Sequence, residues 1–300
     1  MFTPGASSSI ATPVSIANGG TGQSSAAAAL TALWPQATTY GTLATMQGLT
    51  GVAGQAFFNT TYNSWFDWIV DRWYPRYPDP RYGFMHQEKF MGATVAASYP
   101  FGNNTTGTGN AQNTTSSAGR YGELVLECTA AAQTANIRTN LAQYLVGSTD
   151  LYLEAILRVP TLATVGDDFS FGMGLNDNAS YDANTLCTDG VWATINRSIN
   201  GQKVIMNTAS NSTRTATNSS GASISAATDF RLSIYINAGT SAQYFLNGVS
   251  QGTVSTNLPT GAGRYTGFQV KLDKTAGGSA SQLVISHVLV YGYYNAAISG

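Results

Sequence analysis

Glu154 is the only acid in the alternating run Leu151–Val159, and its isolation bears directly on carboxylate chemistry. Cleaving a glycosidic bond by retention needs two carboxylates a few ångström apart. On a strand that means acids at alternate positions, and no Glu-x-Asp-x-x-Glu pattern occurs. Glu123 and Glu127 share a strand face but flank Val125. No catalytic residue is therefore expected, and no polysaccharide hydrolysis. His86 and His287 are the only histidines, so a Ser/His/Asp triad or a histidine metal site would have to use them. His287 falls in an apolar run between Ile285 and Leu289, which predicts a satisfied buried imidazole. His86 follows Tyr82-Gly-Phe-Met and is expected near a module junction. Cys128 and Cys187 lack a CxxC partner and sit among apolar residues, so free buried thiols are expected and zinc is not.

The stretch from Asn176 to Asp189 is rich in side-chain oxygen, yet it lacks the twelve-residue calcium-loop spacing. It reads as a solvated turn in which Asn and Asp bond the local backbone. Gly172-x-Gly174 and Gly19-Gly20-x-Gly22 do not join a strand to a basic helix start, so neither is a phosphate loop. No metal or cofactor is expected. Sugar contact, if present, is expected from flat aromatic faces beside amides, with Tyr181, Asn184 and Trp192 as candidates. Trp192 has a competing reading as a core residue of the strand Val191–Ile195.

These residues depend on elements that the hydrophobic pattern defines. Leu151, Leu153, Ala155, Leu157 and Val159 oppose Tyr152, Glu154 and Arg158. Phe169, Phe171, Met173 and Leu175 alternate with Ser170, Gly172 and Gly174, and the same period returns in 230–236 and 268–273. A period of two with one apolar face predicts sheets packed on one side or in a sandwich. Leu283–Tyr291 is apolar on both faces except Ser286 and His287, which predicts a central strand. Asn247-Gly248 predicts a two-residue hairpin turn. The fold class expected is all-β: a two-sheet jelly-roll sandwich over 100–300, with 100–119 as a surface loop or linker. Before it, 39–99 reads as an aromatic hairpin module, with Phe57 and Phe58 on one strand and Ser64–Val70 on the next. The module ends in a Pro-rich spacer from Tyr74 to Tyr82. Residues 1–38 read as an arm whose Ser24–Leu33 segment favours a short helix.

Composition agrees. Charged residues are 10% of the chain, glycine numbers 32 and net charge is −1. That profile suits a turn-rich β protein and offers no electrostatic case for nucleic acid or an anionic membrane. No apolar stretch reaches the roughly 18 residues of a membrane span, and the start lacks the pattern of a signal peptide. Low surface charge favours self-association.

The block Asn18-Gly19-Gly20-Thr21-Gly22 and the Ala/Leu run to Leu33 resemble a segment near the virion-proximal ends of bacteriophage tail fibres. The aromatic hairpin ending in Arg72-Trp73-Tyr74-Pro75 is similar to the linker modules of such fibres. The series from Phe230 through Tyr244-Phe-Leu-Asn-Gly to Leu283–Val290 resembles the C-terminal half of a concanavalin-A-like jelly roll. The resemblance implies a homotrimeric virion appendage assembled in the host cytoplasm. Asn18, Gly19, Gly20, Gly22, Trp65, Trp68 and Trp73 would then contact other copies or other virion proteins, and the sandwich would face host cell-surface carbohydrate. Two alternatives stay open: a capsid-decorating or collar protein without a receptor role, and a glycan hydrolase or lyase.

Overall fold

The computed structural model describes residues 39–41, 46, 49, 51, 55–60, 64–69, 72–76, 83–88, 102–103, 110–114, 122–139, 142–178 and 187–294. The chain divides into two compact units, Met1–Asp79 and Pro80–Gly300. The 1–38 arm, its short helix, and Asn18, Gly19, Gly20 and Gly22 lie outside the described residues.

The first unit contains a four-stranded sheet in the order β1 (Thr39–Gly41), β2 (Ala56–Asn59), β3 (Ser64–Ile69), β4 (Arg72–Pro75). β1 runs parallel to β2, and the other pairs are antiparallel. The hairpin lies where its aromatic alternation places it. Phe57 pairs with Phe66, and both are buried with Trp73, whose ring lies 5.5 Å from that of Phe57. The Trp73 indole N–H donates to the Leu49 carbonyl at 3.3 Å. Trp73 is thus held inside its own module rather than presented for assembly. Trp65 is 38% exposed, with the Arg76 guanidinium 5.6 Å above its ring. Arg76 is fixed there by a two-pronged bond to Asp67, 2.7 Å on each arm. Trp68 lies on β3 opposite Trp73 in register. The Pro-rich spacer begins inside the sheet, because β4 takes in Tyr74 and Pro75. Proline is tolerated there because β4 is an edge strand.

The second unit is a two-sheet sandwich. Its strands are β5 (Gly83–Glu88), β6 (Gly102–Asn103), β7 (Asn110–Thr114), β8 (Glu123–Cys128), β9 (Gln133–Arg138), β10 (Tyr144–Leu145), β11 (Thr149–Arg158), β12 (Phe169–Asn176), β13 (Gly190–Asn196), β14 (Val204–Ser210), β15 (Thr213–Asn218), β16 (Asp229–Asn237), β17 (Ser241–Leu246), β18 (Val249–Val254), β19 (Tyr265–Lys274) and β20 (Ser281–Tyr294). A one-turn helix, α1 (Arg197–Asn200), joins β13 to β14. One sheet has the order β15-β14-β13-β12-β19-β9-β6, with β10 also on β19. The other has the order β18-β17-β16-β11-β20-β8-β7, with β5 also on β20. All pairings within these two sheets are antiparallel, and the architecture is a jelly-roll sandwich, as the alternation predicts.

The core lies between the sheets. Leu151, Leu153, Ala155 and Leu157 of β11 face Phe171, Met173 and Leu175 of β12, with Phe268, Val270 and Leu272 of β19 beside them. β20 is the central strand expected, and its two apolar faces have a local cause. Between Ile156 and Leu157 the register with β11 shifts, so that Ile156 pairs with His287 while Leu157 pairs with Ile285. Ser286 is the extra residue of a β-bulge. Inward positions are odd before it (Leu283, Ile285) and even after it (Val288, Val290). The Asn247-Gly248 turn forms as expected: both residues have positive φ, 52° and 79°, and Leu246 pairs with Val249.

Two expectations need correction. The Gly/Asn/Thr/Ser stretch 100–119 is not a loop throughout, because β7 pairs with β8 and β6 with β9. These short edge strands are selected by backbone bonds to an open sheet edge, so no apolar alternation marks them. The sandwich also starts before residue 100, since β5 pairs with β20 from Val288–Glu88 to Tyr293–Gly83. β5 is more than an added edge. Its His86 Nδ1 lies 2.9 Å from the Tyr144 hydroxyl of β10, in the other sheet, and Phe84 stacks on Tyr144 at 5.5 Å.

Two outcomes are expected. A fragment starting at Pro80 should fold with the midpoint of the intact sandwich in urea, whereas one starting at residue 120 should unfold at lower urea because it lacks β5 and β7. Burial also lowers the pKa of His86 below its ordinary 6.5. The neutral ring is favoured by folding, so its contribution is complete above about pH 6.5 and is lost as pH falls through the folded value. His86→Gln should flatten the dependence of the urea midpoint on pH below about 6.5.

Candidate functional site

The outward faces of the two sheets are polar, but their polar groups are engaged with one another. On the first sheet, the Asn176 amide donates to Gln269 Oε1 at 3.1 Å, and both residues are buried. Arg214 clasps Asn207 Oδ1 through Nε and Nη2, at 3.2 and 2.6 Å. Its guanidinium also lies 5.5 Å above the Trp192 ring. Lys271 Nζ is 3.0 Å from Asp273 Oδ1, which also accepts from the Thr134 hydroxyl at 2.8 Å. Gly174 makes this packing possible: a side chain there would start 2.4 Å from the Trp192 backbone.

On the second sheet, Tyr235, Tyr152 and Tyr291 stand in register across β16, β11 and β20. Tyr152 stacks on Tyr291 at 4.9 Å. The Tyr152 hydroxyl donates to Glu154 Oε2 at 2.6 Å, with Arg231 Nε at 3.8 Å and His287 Nδ1 at 3.9 Å from the same carboxylate. Glu123 is held by Arg158 at 2.6 Å. Each of these carboxylates is thus clasped by a cation. Among the described residues, no group of three or more His, Cys, Asp or Glu is placed to hold a metal ion.

The open polar site lies at one end of the sandwich, where turns meet. A pocket of roughly 490 Å³ is lined by Ser210, Asn211 and Thr213 of the β14–β15 hairpin, Gly239 of the β16–β17 turn, and Ser255, Asn257, Leu258 and Thr260 of the β18–β19 loop. The two-residue turn Asn211-Ser212 has both φ values positive, at 51° and 61°. Glycine at 239 is required, since φ is +72° and a Cβ would lie 2.7 Å from the Thr260 methyl.

The pocket wall is held from behind. The Thr208 hydroxyl donates to the Thr256 carbonyl at 2.8 Å, and the Asn257 amide donates to Thr215 Oγ1 at 2.9 Å. These two bonds lay the 255–260 loop against β14 and β15. At the rim, Arg264 Nη1 bonds Asp189 Oδ1 at 2.6 Å and Ser210 Oγ at 3.0 Å, while Nη2 bonds Asn211 Oδ1. Asp189 Oδ1 also accepts from the Asn211 N–H at 3.1 Å. Thr213, Ser255 and Thr260 carry exposed hydroxyls into this fixed frame.

Of the sequence candidates, Tyr181 and Asn184 lie outside the described residues. On either side of them, the Asp177 carboxylate accepts from the Thr188 N–H at 3.0 Å, and the Ser212 N–H donates to the Thr188 carbonyl at 2.9 Å. Trp192 is fully buried with Cys187 and Ala209 on the outward side of the first sheet, so its ring offers no face to a ligand. Both thiols are buried and free, and burial pushes Cys128 up to about 11 and Cys187 up to about 12. Sequence reasoning missed the pocket, because its residues come from three turns and carry no spacing pattern. The one local signal was Asn211-Ser212 between two alternating runs.

No family model matches the chain, and no curated protein does. Solved structures do match. A protein of unknown function from Shewanella oneidensis MR-1 is 14% identical with a TM-score of 0.53, over 73% of this chain and 90% of that one. The β-glucanase of Bacillus licheniformis is 17% identical with a TM-score of 0.46, over 70% and 97%. The κ-carrageenase of Pseudoalteromonas carrageenovora is 10% identical with a TM-score of 0.45, over 73% and 99%. At these identities the likeness is one of fold.

Removing the buried indole should cost stability rather than binding. Trp192→Ala is expected to destabilise the sandwich by about 3–5 kcal/mol, the usual range for a large aromatic deleted from a packed site. Urea denaturation followed by Trp and Tyr fluorescence measures this.

Proposed function

We propose that the sandwich is a saccharide-binding module whose site is the pocket between the β14–β15 hairpin, the β16–β17 turn and the β18–β19 loop. The observation that carries this reading is the pocket's lining: exposed hydroxyls of Thr213, Ser255 and Thr260 on a frame that bonds at Ser210, Asn211, Thr256 and Asn257 hold in place. A backbone frame fixed in advance lowers the ordering cost of binding, and an open polar depression suits part of a sugar chain. Sugars present many groups that both donate and accept, which matches serine and threonine hydroxyls. Binding is preferred to cleavage in this reading because Glu123, Glu154, Asp189 and Asp273 each have a cationic side chain beside them. The alternative, a glycan hydrolase or lyase, would centre on Glu154 with His287 and Arg231.

We further propose that the chain displays this module from a homotrimeric virion appendage. Support comes from the resemblance of residues 18–33 and of the aromatic hairpin to tail-fibre segments, and from the exposed Trp65.

Saccharide binding is measured by calorimetry and on a glycan array. Ser255→Ala and Thr260→Val leave the frame intact and should each weaken binding by about two- to tenfold, as expected for one hydrogen bond. Unchanged binding in both variants would move the site elsewhere. Release of reducing ends or unsaturated products from any bound glycan would favour the enzyme reading. Light scattering on the intact chain should give three copies, and a monomer at micromolar concentration would sink the appendage reading.

A further inference from the structure

The geometry points to an uncharged saccharide as the ligand of the end pocket, with sulfated sugars and uronic acids excluded. This inference rests on the pocket being the saccharide site.

Among the described residues, no titratable side chain lines the pocket. The cation nearest in the bonding network is Arg264, and its charge is already answered. Nη1 is bonded to Asp189 Oδ1 at 2.6 Å and Nη2 to Asn211. Asp189 is itself largely buried, so the pair is shielded from solvent and its attraction stays internal. A guanidinium held in this way positions the Asn211 turn and offers no free fork to a sulfate or carboxylate.

An anionic ring substituent resting against this lining would meet no counter-charge among the described residues and would give up part of its water. Burying an unpaired charge is costly, far more so than burying a hydroxyl that finds a hydrogen bond. The Asp189 carboxylate, outside the lining, is taken up by Arg264 and the Asn211 N–H and adds no counter-charge. A neutral sugar meets none of these penalties. Its hydroxyls can donate to, and accept from, Thr213, Ser255 and Thr260. The chain as a whole adds no long-range attraction for polyanions, with a net charge of −1.

The test compares matched probes on the intact chain by calorimetry: a neutral oligogalactoside against its sulfated form, and a neutral oligoglucoside against the oligoglucuronide. Each pair is measured at about 20 mM and about 500 mM NaCl, a range over which exposed electrostatics are strongly screened. At least one neutral probe should bind, with affinity changing less than twofold between the two salts. Its charged partner should bind at least tenfold more weakly. Ser255→Lys should narrow or reverse that gap, since it places a cation on the rim. Equal or tighter binding of the charged partner, or affinity that collapses at high salt, overturns the inference while leaving the site intact. A neutral probe whose binding ignores Ser255→Ala and Thr260→Val, or no binding of any probe, overturns the pocket as the saccharide site and this inference with it.

Discussion

The pairing of β11 with β20 is the constraint on which the rest of the sandwich depends. β11 alternates strictly, with Leu151, Leu153, Ala155 and Leu157 inward. A strand slipped by one residue would turn all four to the outside and bring Tyr152, Glu154 and Arg158 into the core. β20 cannot satisfy this partner with unbroken alternation, because its inward residues change parity. The bulge at Ser286 absorbs the difference, so Ile285 and Val288 both reach the core. It also sets His287 opposite Ile156, on the outward face beside Glu154. One extra residue therefore keeps the core continuous and brings an imidazole to a carboxylate.

The outward faces show how a chain with few charges covers a sandwich. Each carboxylate packed into a sheet face needs a cation or hydrogen-bond donor, and the chain has 15 acids against 14 lysines and arginines. The described faces solve this by local pairing: Glu123 with Arg158, Asp273 with Lys271, Glu154 with Tyr152 and Arg231. Groups tied in this way rigidify the sheets. What stays open is the turn region, where side chains are short, hydroxylic and fixed by backbone geometry. In the proposed reading, binding falls to the ends of the strands, which a rigid scaffold positions and which tolerate sequence change.

Much of this was legible in the sequence, for a physical reason. The alternation in Leu151–Val159, Phe169–Leu175 and Phe230–Ile236 reports a sheet face that must leave water, and those strands appear where the pattern puts them. Asn247-Gly248 reports a backbone that needs two positive φ values, and the turn is there. β6, β7 and β5 were not legible in the same way. Their formation depends on which edge is open in the folded sheet, a non-local fact that Gly102-Asn103 or Asn110–Thr114 does not carry. Trp192 shows the opposite limit. Its type and neighbours suit a sugar platform, yet its burial is decided by Arg214, Cys187 and the absent side chain of Gly174, which come from other strands.

The end pocket follows from the same logic. The β14–β15 hairpin, the β16–β17 turn and the β18–β19 loop are far apart in sequence, and the two sheets bring them together at one end. Convergence of three loops leaves little room, and glycine at 239 is where that crowding is relieved. Thr208 and Thr215 then hold the 255–260 loop against β14 and β15, and Arg264 ties the hairpin tip to Asp189. The arrangement has a consequence for sequence change. Residues that face the cavity, such as Thr213, Ser255 and Thr260, can change without unfolding the protein. Changes at those that hold the frame from behind should each cost about 1 kcal/mol or more, because each one anchors two elements at once. In the proposed site, specificity and stability would therefore be carried by different residues of the same few turns.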